Sequence, residues 1–277
     1  MARQSAQPAA AAAPAAPLGW PRPDWDRPWF QPFREAGERV LERVAQGVPL
    51  HEGLNAEAPA PVRFVAQALL PPGTPYESYI LETGRCPTRH GLHDFFNGLC
   101  WSVFPLAKKQ LNALQAAALA AAVPGAPRGP LRDAITVFDE NGALLEAPAP
   151  LWEALLASDW RRLFIDLRPL WREARLQLFG HALLEKLAAP RKSLTAHVWQ
   201  APCLLREPGD TDAWLAHQFR PERLAAKPFV PLPVLGIPGW CAGNQNFSFY
   251  DDSVVFREGR RRRSAPAGQA DRGPQRS

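Results

Sequence analysis

One stretch limits what this chain can fold into more than any other. It runs Thr88-Arg89-His90-Gly91-Leu92-His93-Asp94-Phe95-Phe96-Asn97 and continues Gly98-Leu99-Cys100-Trp101-Ser102-Val103-Phe104-Pro105. Two histidines, an aspartate and an asparagine alternate with large apolar side chains. A helix built from them must pack tightly while keeping its polar groups paired. Thr88 reads as the N-cap of a helix running to about Val103, and Pro105 as the start of a second helix through about Ala122. On the first helix His90, Asp94, Asn97 and Trp101 fall at i, i+4, i+7 and i+11 and share a face. His93, Asn97 and Cys100 form an adjoining line.

Around this centre the pattern is mainly helical. Phe30, Phe33, Val40, Leu41 and Val44 make one stripe, stopped by Gly47 and Pro49. Val62 to Gln67 is strand-like, and Tyr76 to Glu82 fits a strand or a helical turn. Asn141-Gly142 between apolar segments signals a hairpin, with Asp139 and Glu140 in its turn. Leu151 to Leu156 and Leu170 to Leu187 have helical spacing, and Ser253 to Phe256 reads as a short strand. With no βαβ alternation, the expected fold is α+β: a predominantly helical single domain with a small β-hairpin or short sheet and Pro/Gly-rich loops. The expected boundaries are a flexible Ala/Pro-rich leader over 1–19, one globular domain over 20–256 and a disordered Arg-rich tail over 257–277.

Charge follows the same division. Arg257, Arg260, Arg261, Arg262, Arg263, Arg272 and Arg276, against Glu258 and Asp271, carry the whole formal charge of +5 and leave the body neutral. That excludes an evenly basic nucleic-acid-binding surface and confines weak, nonspecific anion or nucleic-acid contact to the tail. The four cysteines, 86, 100, 203 and 241, form neither a disulfide framework nor a CxxC motif, so the chain reads as cytoplasmic. No apolar run is long enough to span a membrane, and the first 19 residues lack a signal-peptide core.

Histidine titrates near neutrality, which makes His93 or His90 a candidate general base, with Asp94 orienting it and Asn97 beside both. The competing reading is structural, with Asp94 and Asn97 capping chain and the histidines satisfying buried carbonyls. His181 and Glu185, at i and i+4, form a second-tier catalytic pair, with His197 just beyond. Arg89, Lys108, Asn112 and Asp133 are candidate ligand-binding groups, and Trp240 and Tyr250 candidate aromatic walls. HExxH, GxGxxG, GxxxxGK and GxSxG are all absent, so the sequence assigns no metal ligand and names no cofactor.

Several runs resemble a known family. They are His93-Asp94-Phe95-Phe96-Asn97 with Trp101, Phe104-Pro105, Lys108 and Leu111-Asn112; Arg132-Asp133-Ala134; Phe138-Asp139-Glu140; and Phe179 through Glu185. Leu194 through His197, Gly236 through Trp240, Phe249 through Asp252 and Val255-Phe256-Arg257 continue the likeness. Together they resemble DUF3025, a bacterial domain of unknown function, over about Val62 to Arg257. The resemblance implies one domain across that span and supplies no reaction.

Two functional classes follow: a small hydrolase-like enzyme built on the His/Asp/Asn helix, or a noncatalytic binding or scaffold protein for a small-molecule or protein partner. Any nucleic-acid affinity belongs to the arginine tail. Truncation after Phe256 is expected to abolish duplex-DNA retention in a gel-shift assay at low salt, and unchanged retention rejects a tail-mediated contact.

Overall fold

A computed structural model describes residues 18–122, 127–202 and 208–257. The polar helix lies at its centre. Named α4 in chain order, it spans Leu92–Val103 and buries nine of its twelve residues, Asp94 and Asn97 among them. The preceding chain wraps one side through a 3₁₀ turn (Pro28–Phe33), α1 (Arg34–Ala45) and α2 (Leu50–Glu57). Phe30 stacks on Phe96 with ring centroids 5.3 Å apart, and Trp25 meets Phe95 edge-on at 6.4 Å.

A parallel pair, β1 (Arg63–Ala66) and β2 (Arg85–Thr88), is bridged by α3 (Tyr76–Thr83), so the ambiguous segment at 76–82 is helical. After α4 come α5 (Pro105–Ala120) and α6 (Pro130–Asn141), then β3 (Gly142–Glu146), α7 (Ala149–Leu156), β4 (Arg175–Leu178) and α8 (His181–Leu187). The chain closes with β5 (Thr195–Gln200), α9 (Pro208–Gln218), α10 (Pro221–Ala225) and β6 (Phe229–Pro233). The main sheet has the order β4-β3-β5-β6: β3 runs antiparallel to β4 and parallel to β5, and β5 antiparallel to β6. The fold is therefore helical α+β with a small mixed sheet.

Four local expectations are corrected. Asn141-Gly142 is not a hairpin turn but a junction from α6 directly into β3. Ala134, Ile135 and Phe138 face the core at helical spacing, and Gly142 is extended (φ −71°, ψ 152°), whereas a type I′ turn needs positive φ. A Cβ on Gly142 would lie 2.4 Å from the Phe138 carbonyl oxygen, so the junction has room only for glycine. Leu170 to Leu187 is not one helix: a 3₁₀ turn (Arg168–Glu173) and β4 precede α8. β4 pairs with β3, where Arg175 bonds to Glu146, and sheet pairing overrides the helical spacing.

Thr88 ends β2 rather than capping α4; its hydroxyl donates to the Cys86 carbonyl, and the helix begins after Gly91. Ser253 to Phe256 is a turn in which Asp252 accepts from the amides of Val254 and Val255. Leu18 belongs to the core, and its carbonyl accepts a 3.1 Å hydrogen bond from His90 Nε2. Residues 1–17 and 258–277, which hold most of the expected leader and tail, lie outside the described residues.

The N-terminus of α5 is capped from a distance. Pro105 has no amide hydrogen, and the next two amides, Leu106 and Ala107, donate to the buried Asp212 of α9 at 2.9 and 2.8 Å. Asp212→Ala is expected to lower the unfolding free energy by about 1–3 kcal/mol. The measurement is the urea midpoint at unchanged slope; an unmoved midpoint would show that the cap contributes nothing.

Candidate active-site cleft

A cleft of about 360 Å³ opens where α3, α4, α5 and α6 meet the start of α8. Its position follows from one backbone contact. Gly142 accepts from the amides of Phe179 and Gly180 at 2.9 and 2.8 Å, pressing the start of α8 against the end of α6. A Cβ on Gly180 would come within 2.5 Å of Asn141 backbone atoms, so this approach also requires glycine. His181 is thereby set beside Asp139 and Glu140.

The chemistry concentrates there. His93 of α4, with its side chain 35% exposed, donates from Nδ1 to Glu185 Oε2 at 2.8 Å. Its ring meets that of His181 edge-on, and the two Nε2 atoms lie 3.1 Å apart. His181 is 4% exposed. Burial drives its pKa down to about 3, the nearby Asp139 only partly opposing, so the imidazole is neutral. His181 Nδ1 has no hydrogen-bond partner; Asp139 Oδ2 stands 3.7 Å away, and Glu140 Oε1 is 3.6 Å from Nε2.

Lys108, 4% exposed, binds Asp139 Oδ1 at 2.6 Å and lies over the rings of Trp101 and Phe179. Burial alone would raise the Asp139 carboxyl, but the charge and hydrogen bond of Lys108 outweigh it and leave the pKa below the usual range. Glu140 is pushed up by burial and by its neighbour Asp139. Asp94 is fully engaged, accepting from Arg89 at the backbone amide (2.6 Å), Nε (3.2 Å) and Nη2 (2.9 Å). Asn97 donates to the Tyr76 hydroxyl, and Asn112 to the Glu77 carbonyl. Two buried amide oxygens of lining residues, Asn97 Oδ1 and Gln115 Oε1, have no hydrogen-bond partner.

Of the residues singled out from the sequence, His93, Asp94, Asn97, His181, Arg89, Lys108 and Asn112 line this cleft, and Glu185 holds His93. Four lie elsewhere. His90 precedes α4 and packs on Trp20 with its Nε2 bound to Leu18, which removes it from the shared helix face. Asp133 pairs with Lys227 at the far end of α6. Trp240 packs on Trp29 at 5.4 Å, and Tyr250 donates to the Gly236 carbonyl while accepting from Arg168. His197 sits on β5 against Phe229, outside the lining. Asp139 and Glu140, assigned to a turn, in fact occupy the last turn of α6 and face the cleft. Tyr76 and Gln115 carried no sequence signal of a site.

One group of donors suits a metal ion: ligand atoms from His93, Glu140 and His181 lie within 4.8 Å of one another. The molecule is thus a helical α+β protein with a His–carboxylate cluster at the edge of a polar cleft. It belongs to the DUF3025 family, described as a protein of unknown function, whose family model matches residues 62–260. No curated protein and no solved structure matches the chain.

The cleft rests on buried, protonated thiols. Burial raises Cys86 to about 11, with Tyr76 lowering it in part, and Cys100 to about 12. A raised thiol pKa withholds the reactive thiolate. Native protein treated with iodoacetamide at about pH 8 is expected to be alkylated at the partly exposed Cys241 before Cys86 or Cys100. Peptide mass spectrometry checks the order, and early labelling of either buried thiol contradicts it.

Proposed function

We propose that this chain is a small hydrolase acting on a compact polar substrate in the cleft. The observation that carries the reading is the Glu185–His93 pair facing His181 at the cleft edge. A carboxylate can only accept, so Glu185 keeps the His93 proton on Nδ1 and turns the Nε2 lone pair toward the cleft. A water at this edge passes its proton to the cluster as its oxygen bonds to the electrophilic carbon or phosphorus of the substrate. The bond to the leaving group breaks, and the leaving group takes the proton back. The cavity volume suits a small molecule. The unpaired oxygens of Asn97 and Gln115 favour a substrate with N–H or O–H donors.

A noncatalytic binding role is the second reading. It is favoured by the pairing of both basic lining residues, Arg89 with Asp94 and Lys108 with Asp139, which already serves the fold.

The experiment is a hydrolysis screen over small carboxylic esters, amides and phosphate esters. It compares the wild-type chain with His93→Asn, Glu185→Gln and, as a control outside the cleft, His197→Asn. His93→Asn is expected to lower kcat/KM by about 10²–10⁴ and Glu185→Gln by about tenfold or more, with His197→Asn unchanged. Activity that survives His93→Asn rejects this mechanism. Ligand-dependent thermal stabilisation without turnover of any class supports the binding role instead.

A further inference from the structure

We infer that His93 Nε2, His181 Nε2 and the Glu140 carboxylate bind a divalent first-row transition metal of the zinc type. The inference deepens the hydrolase reading: with His93 Nε2 on the metal, the ion rather than the free imidazole activates the water, and only that consequence rests on the hydrolase reading. Binding itself rests on the arrangement of the donors.

Proton placement comes first. Glu185 accepts the Nδ1 proton of His93, so Nε2 is the nitrogen that can present a lone pair. An uncharged imidazole carries a single proton, and at His181 that proton has two places to go. On Nε2 it could be shared with His93, but the buried Nδ1 lone pair would then face the Asp139 carboxylate at 3.7 Å. On Nδ1 it points toward Asp139, and the two Nε2 lone pairs confront each other across 3.1 Å with Glu140 Oε1 beside them, 3.6 Å from His181 Nε2. Three acceptors converging in this way call for a cation between them.

The dimensions agree. Zinc–nitrogen bonds of about 2.0–2.1 Å at a tetrahedral angle separate two nitrogens by about 3.3 Å, close to the 3.1 Å found. Each imidazole also has a carboxylate near its other nitrogen, Glu185 at 2.8 Å and Asp139 at 3.7 Å, the outer-shell arrangement that orients metal-binding histidines. Around the lining, Arg89 and Lys108 stand against Glu77, Asp94, Asp139 and Glu140, an acidic excess of two that a divalent ion balances. Two imidazoles with one carboxylate select a transition metal over Mg²⁺ or Ca²⁺, which prefer all-oxygen sites. Three protein ligands leave a position open to the cleft, where a water would be acidified.

The test is metal binding by the full chain after treatment with a chelator and exhaustive dialysis. Titration with Zn²⁺, followed by calorimetry and by elemental analysis of dialysed protein, is expected to show one equivalent bound, while Mg²⁺ at the same concentration does not compete. Co²⁺ loaded in its place is expected to give the intense visible absorption of a tetrahedral site. His181→Asn and the conservative Glu140→Gln are each expected to weaken Zn²⁺ at least tenfold, and Glu185→Gln by about 10–100-fold. His197→Asn should leave affinity unchanged. Far-ultraviolet circular dichroism and retained protection of Cys100 confirm that each variant is folded. If His181→Asn fails to fold, Glu140→Gln alone decides.

Absence of stoichiometric Zn²⁺ binding, or undiminished affinity in a folded Glu140→Gln, overturns the site. The two readings fail separately. Zinc bound without turnover of any substrate class upholds the site and removes the hydrolase. Turnover by a chain that binds no zinc removes the site and leaves the hydrolase.

Discussion

The carbonyl oxygen of Gly142 accepts from two successive amides, Phe179 and Gly180, and much of the molecule is organised about that contact. It joins the end of a helix, the first residue of a strand and the entry to another helix within a few ångströms. A Cβ at 142 would collide with Phe138 in the last turn of its own helix, and one at 180 with backbone of the opposing segment. The same contact sets the sheet register, with Ala143 opposite Leu178. It also brings the polar ends of two helices together over the side of a third. Residues distant in sequence, 93, 139, 140 and 181, meet because backbone packs on backbone without intervening side chains.

The cost of such a meeting is visible at Lys108. An ammonium group buried against Asp139 and two aromatic faces gives up its hydration, and a buried ion pair of this kind often does no better for stability than apolar residues of similar volume. Unmatched polar atoms add to the cost: Asn97 Oδ1, Gln115 Oε1 and His181 Nδ1 are all withdrawn from water. Polarity concentrated in the lining of a cavity, while the other side of the same helix is packed with phenylalanine, is where sites for ligands are ordinarily found.

Much of this was legible along the chain. The stripe of Phe30, Phe33, Val40 and Leu41 and the proline at the head of α5 mark their elements because periodicity and backbone chemistry are local signals. The family match to 62–260 agrees with the span of the resembling motifs. For the cleft, His93, Asp94 and Asn97 stand out because polar groups amid aromatics are conspicuous. The errors share a physical origin. Asn-Gly is a turn signal only where positive φ is adopted, and here Gly142 was needed for its missing side chain instead. Leu176 and Leu178 fit a helix or a strand equally well until β3 supplies a partner. Glu140 reads as a turn residue because its neighbour His181 comes 41 positions later in the sequence, a distance no spacing rule covers.

The segment from Leu18 to residue 61 precedes the region matched by the family model, yet it is not an appendage. Phe30 covers Phe96, Trp25 covers Phe95, and the Leu18 carbonyl ties down the loop that leads into α4. The edge of the recognisable family is therefore not an edge of the folding unit. A fragment excised at residue 62 would bare the aromatic back of the helix whose front carries His93. Loss of solubility in such a fragment would reveal the missing cover and say nothing about the chemistry of the cleft.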